Sequence, residues 1–181
     1  MGADMNDDID ASEWLNTDEP PSLRALRGKV VVVTVFQMLC QGCARTSLPQ
    51  ARNLHASLPR GDAAVIGLHS VFEHHHVMTP EALRVFAGEY GLTFPIAIDR
   101  AREGLPIPAT MHRWELDGTP TLLVFGRDGG LALRHFGHVD DLRLGLVLGQ
   151  LLAHPSGGTA AGGPGGDEGR DDAGGEPVCS I

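Results

Sequence analysis

Cys40-Gln41-Gly42-Cys43 is the first place where residue types and spacing could do chemistry. Two thiols three positions apart can close and open a disulfide, or they can supply half of a zinc site. A zinc site needs two more ligands nearby, and the only other cysteine is Cys179, far along the chain. Placement favours the redox reading. Cys40 falls where a strand-like apolar run ends and a helical pattern begins, and the first turn of a helix offers unpaired N–H groups and a partial positive charge. Both favour a thiolate, which is the attacking species in disulfide exchange. Cys43, one turn later, can close the ring. The expected roles are an exposed nucleophile at Cys40 and a more buried resolving thiol at Cys43, with two ordinary buried thiols as the bland alternative.

Three further features carry weaker chemistry. Cys179 is a candidate third redox thiol, or else an adventitious exposed one. The stretch before it is glycine-rich, and about 25 such residues span roughly 25–30 Å, so reach does not prevent it from meeting Cys40. His74-His75-His76, with His69 nearby, invites a metal reading, but adjacent histidines point in different directions. The expectation is a solvated loop with no metal. Gly118-Thr119-Pro120 precedes a strand-like run, and a proline entering a strand in this way can hold a cis bond.

The elements that would position these groups follow from patterning. Lys29 to Phe36 is a mostly β-branched run, as in a strand buried on both faces. Residues 41–59 have near-helical apolar spacing with Pro49 inside, which predicts a kink. Ala63 to Leu68 reads as a second buried strand. Thr79-Pro80-Glu81 starts a helix, with Thr79 as cap, that runs to about Tyr90 and stops at Gly91. Phe94 to Ile98 reads as a short strand and Ala109 to Leu116 as a short helix. Pro120 to Phe125 and Leu131 to Phe136 flank a turn at Asp128-Gly129-Gly130. Val139 to Leu152 closes the pattern as a helix. Strands joined by helices predict parallel pairing with helices on both faces, and the hairpin adds an antiparallel edge.

Composition bounds the rest. The 181 residues suggest one domain with extensions, and 42% apolar content can fill a core. The net charge of -9 is concentrated at the ends: residues 1–20 hold seven acids and no Lys or Arg, and residues 155–181 carry a net -4, leaving +2 for 21–154. The expected organisation is therefore an acidic extension over 1–20, a domain over 21–154 and a disordered glycine-rich acidic tail over 155–181. No basic stripe interleaved with aromatics is present, so nucleic-acid binding is not expected. No run is long enough to span a bilayer, and the acidic start lacks the charged and apolar regions of a secretory signal. With an odd cysteine count, this predicts a cytoplasmic protein rather than a disulfide-stapled secreted one.

Taken together, Leu26-Arg27-Gly28-Lys29-Val30-Val31-Val32, Cys40-Gln41-Gly42-Cys43, Val65 to Ser70, Phe94 to Asp99, Gly118-Thr119-Pro120-Thr121 and Asp128-Gly129-Gly130 resemble the thioredoxin-like superfamily, in its TlpA-like and redoxin branch. The resemblance covers about residues 12–153. It implies an α/β three-layer fold, a central mixed β-sheet flanked by helices, with Pro120 cis and facing the cysteine pair. It also implies that Thr119 pairs with an extended substrate strand. The chain departs from the pattern at Leu39, where an aromatic is common, and at Thr34, where thioredoxin has a buried acid. The implied activity is thiol–disulfide exchange on protein or small-molecule disulfides. The pair would act as a reductant recharged by a thioredoxin- or glutathione-type donor, with no organic cofactor. The alternatives are a thiol peroxidase, although Val33 and Gln37 replace the Pro and Thr of the peroxidatic pattern, and a non-catalytic redox or metal-binding module.

Overall fold

Val30–Phe36 forms β2, and all seven of its side chains are buried. It sits at the heart of the computed structural model, which describes residues 7–153 and 177–181. β-Branched residues fit a pleated surface covered on both faces, and six of these seven are β-branched. β3 (Ala63–His69) runs parallel to β2 on one side, from Val30↔Ala63 to Phe36↔His69. β4 (Ile96–Asp99) is parallel to β3, and β1 (Ala11–Leu15) lies antiparallel on β4. On the other side of β2 lie β6 (Thr121–Phe125) and then β7 (Leu131–Phe136), both antiparallel to their neighbours. The order β1-β4-β3-β2-β6-β7 is the expected central mixed sheet.

Alternation along β2 divides the core into two layers. Val30, Val32 and Phe36 pack with Leu48 and Ala51 of α1 (Leu48–Ser57), Leu83 and Ala87 of α2 (Pro80–Glu89), and Leu144 and Leu148 of α4 (Asp141–Ala153). Val31, Val33 and Val35 face the other way, onto Leu23, Trp114 and Met111 of α3 (Ala109–Arg113). Helices therefore cover both faces of the sheet.

Local signals place most helix ends. Thr79 Oγ1 accepts the Ala82 N–H at 3.2 Å, with Pro80 in the first turn. Gly91, at φ +63°, ends α2, as only glycine does at little cost. Pro49 is accommodated rather than disruptive: the turn before it, Cys43–Ser47, is π-helical. A wider turn moves aside the carbonyl that the ring would strike and that has no N–H to meet. α3 stops at Arg113, short of the expected Leu116, and Glu115 there adopts φ +51°. β4 begins at Ile96, two residues later than expected.

Two expectations about the ends need correction. The described part of the expected 1–20 extension, residues 7–20, is not separate from the domain: β1 completes one edge of the sheet, and Asp8 accepts hydrogen bonds from Ser22 Oγ and Leu23 N. At the other end, the expected disorder over 155–176 lies outside the described residues. Within the described 177–181, however, β8 (Cys179–Ser180) pairs antiparallel with β5 (Gly118–Thr119). Among the described residues no helix is long and apolar enough to cross a membrane.

Candidate active site

Cys40 stands where β2 hands over to the helix. The Ala44 N–H donates to Cys40 O at 3.0 Å, the first bond of the helical ladder, so Cys40 occupies the capping position. The Cys43 thiol and backbone N–H both hydrogen-bond to the Cys40 sulfur. The thiol contributes most, and together they outweigh burial and bring the Cys40 pKa from 9.0 down to about 5. Cys43 moves the opposite way. Burial pushes its pKa up, and its contact with the Cys40 thiolate adds to this. One thiol is thus held charged at neutral pH while its neighbour keeps its proton, the division of labour a dithiol exchanger needs.

The strand edge opposite the pair is β5. The Thr119–Pro120 peptide bond is cis. Thr119 O lies 3.5 Å from Cys40 Sγ, and a Cβ at Gly42 would stand 3.3 Å from Pro120 Cδ. The loop thus faces the cysteines, as the resemblance implied for Pro120. Thr119 Oγ1 is fully buried with no geometric hydrogen-bond partner among the described residues. It is near enough to both sulfurs to favour their thiolates.

The structure differs from expectation in the exposure of Cys40, which is only 1% accessible. The cause is the 177–181 segment, which lies over it. Cys179 sits within hydrogen-bonding reach of Cys40, and its own pKa is pushed up to about 12, first by burial and then by the Cys40 charge. All three cysteines are free thiols. The structure therefore gathers Cys40, Cys43, Thr119, Pro120 and Cys179 into one place. It leaves His74, His75 and His76 exposed on the loop before α2, while His69 is buried against Phe36 and kept neutral, with a pKa near 3.

Sequence reading missed Gln37 and Glu73. Gln37 is fully buried; its Oε1 accepts the Phe72 N–H at 3.2 Å and its Nε2 reaches Glu73 Oε1 at 3.5 Å. That side chain ties the loop after β3 to the strand that carries Cys40, and it brings the Glu73 carboxylate beside Cys179. In the sequence, Gln37 stands out only for the hydroxyl it lacks. Thr34 is buried, with no partner for its Oγ1 among the described residues, and as a threonine it offers no carboxylate to Cys43.

A thiol-disulfide isomerase from Corynebacterium glutamicum has a solved structure 53% identical to this chain, with a TM-score of 0.78 over 81% of this chain and 94% of the other. A structure described as a thioredoxin-like superfamily protein is 39% identical, with a TM-score of 0.80 over 84% and 98% of the two chains. The chain belongs to the thioredoxin-like superfamily. Among curated proteins, Protein DipZ of Mycobacterium tuberculosis is 33% identical over 88 residues, or 48% of this chain. The chain spans only 12% of the length of Protein DipZ. No family model matches the sequence. The site of this chain combines the cysteine pair, the cis-proline edge and a third thiol on a paired strand.

Proposed function

We propose that this chain is a thiol–disulfide oxidoreductase that cycles the Cys40–Cys43 pair between dithiol and disulfide, and that it acts as a reductant in the cytoplasm. The observation that carries the reading is the opposed protonation of the two thiols beside the Thr119–Pro120 edge. The Cys40 thiolate attacks one sulfur of a substrate disulfide. The Cys40–substrate bond forms as the substrate S–S bond breaks, and the departing thiolate takes up a proton. Cys40 has then lost its charge, which removes one of the causes that held Cys43 protonated. Cys43 gives up its proton and attacks Cys40 Sγ, releasing the second substrate thiol. The substrate gains two electrons and two protons, and the protein is left with the Cys40–Cys43 disulfide.

A thioredoxin- or glutathione-type donor returns the pair to the dithiol. Stabilising the thiolate stabilises the reduced form, so the potential should lie above thioredoxin's, between roughly -270 and -120 mV. The substrates proposed are protein disulfides presented as extended strands, for which the β5 edge is suited. Reduction of insulin disulfides with a dithiol supply tests the reading. Cys40→Ser abolishes the activity, and Cys43→Ser/Cys179→Ser, which leaves no second thiol beside Cys40, accumulates mixed disulfides with substrate. Full activity in Cys40→Ser would refute it.

A further inference from the structure

The strand that occupies the substrate edge belongs to this chain. Cys179 lies opposite Thr119 and Ser180 opposite Gly118 in antiparallel register, and the Ile181 N–H extends the pairing to Asp117 O at 3.0 Å. Glycines make the fit. A Cβ at Gly118 would come within 2.0 Å of Cys179 O, and one at Gly42, between the two cysteines, within 2.0 Å of Pro177 O. Gly42 has an ordinary helical backbone, at φ -61°, so its lack of a side chain answers to space rather than to conformation. Cys179 itself packs against apolar residues of both core layers.

We propose that Pro177–Ile181 is an internal substrate strand: it covers the site and presents Cys179 to Cys40 as an exchange partner, so that an external substrate must displace it. The proposal rests on the disulfide-exchange reading of the Cys40–Cys43 pair. In the oxidised protein the Cys179 thiol loses its proton and attacks Cys40 Sγ. The Cys40–Cys179 bond forms as the Cys40–Cys43 bond breaks, and the electron pair leaves with Cys43, which takes up a proton. One disulfide and one thiol stand on each side, so no outside oxidant is consumed. The same attack on a Cys40–substrate mixed disulfide would release the substrate.

The test uses the full chain and oxidised glutathione as probe. In Cys43→Ser, Cys40 attacks glutathione disulfide, and Cys179 then expels the bound glutathione. The expected product is a monomer with a Cys40–Cys179 bridge and no retained glutathione, whereas Cys43→Ser/Cys179→Ser keeps the adduct. A lasting glutathione adduct on Cys40 in Cys43→Ser overturns the proposal, and so does a bridge between two chains, which would make the docked strand another copy's. A kinetic arm covers the case in which the Cys43 variant does not fold. Ile181→Pro removes the N–H that reaches Asp117. It should lower KM for insulin about tenfold with kcat unchanged, as for a strand docked about nine-tenths of the time. An unchanged KM overturns the cover. If neither wild type nor Cys179→Ser reduces insulin, the disulfide-exchange reading itself fails. If both reduce it while the glutathione adduct persists, only the internal strand does.

Discussion

β1 and β8 each add a distant piece of chain antiparallel to a strand of the fold, but they are built differently. β1 has five residues, buries Leu15 to 7% exposure and is fastened on both sides. Asp10 pairs with Arg100 at 2.7 Å and Glu13 pairs with Arg84. Asn16 turns the chain at φ +60° while its Nδ2 donates to Leu92 O and Phe94 O at 2.8 and 3.0 Å. β8 has two residues, pairs with a two-residue strand, and leaves Val178 and Ile181 39% and 53% exposed. One strand is part of the sheet. The other holds on by few bonds, which suits a strand that has to give way to substrate.

The contrast predicts where substitutions hurt. Leu15→Ala should lower stability by about 2–4 kcal/mol in denaturant unfolding, because it opens a cavity in the core; a loss below about 1 kcal/mol would show β1 to be as dispensable as β8. Asn16→Ala should cost about 1–3 kcal/mol, since two carbonyls lose their donor and alanine tolerates the positive φ poorly. Glu13→Gln should cost under about 1 kcal/mol and the deficit should shrink with salt, because the pair with Arg84 is half exposed. Val178→Ala should change stability by less than about 0.5 kcal/mol yet speed alkylation of Cys40. A large loss of stability there would make β8 a structural strand.

What could be read from the sequence was what neighbouring residues decide. The β-branched run of β2, the Thr79 cap, the Gly91 stop and the Asp128–Gly130 turn all use signals within a few positions. The cysteine pair was legible for the same reason, since strand, capping position and helix follow one another. Long-range pairing was not legible. The acids concentrated in residues 1–20 made this stretch read as an extension to the domain, yet Asp8, Asp10 and Glu13 find partners as much as 105 residues away. The burial of Cys40 depends on residues 177–181, and only three-dimensional proximity reveals it. Cys179 was picked out for its reach, but its docking on Thr119 needed the register of β5 and β8.

Disulfide exchange at this site depends on Cys40 being a thiolate at neutral pH. Folding lowers its pKa from 9.0 to about 5, so the thiolate is favoured in the folded protein. The stability this group supplies is fully present above its ordinary pKa and is lost as pH falls through about 5. The direct measurement is the rate of iodoacetamide labelling of reduced Cys179→Ser against pH, with the labelled residue identified by peptide mapping. Cys40 should be labelled first, with a midpoint near pH 5 and a plateau through neutrality; a midpoint near pH 9, or first labelling at Cys43, would show that Cys40 is not the thiolate.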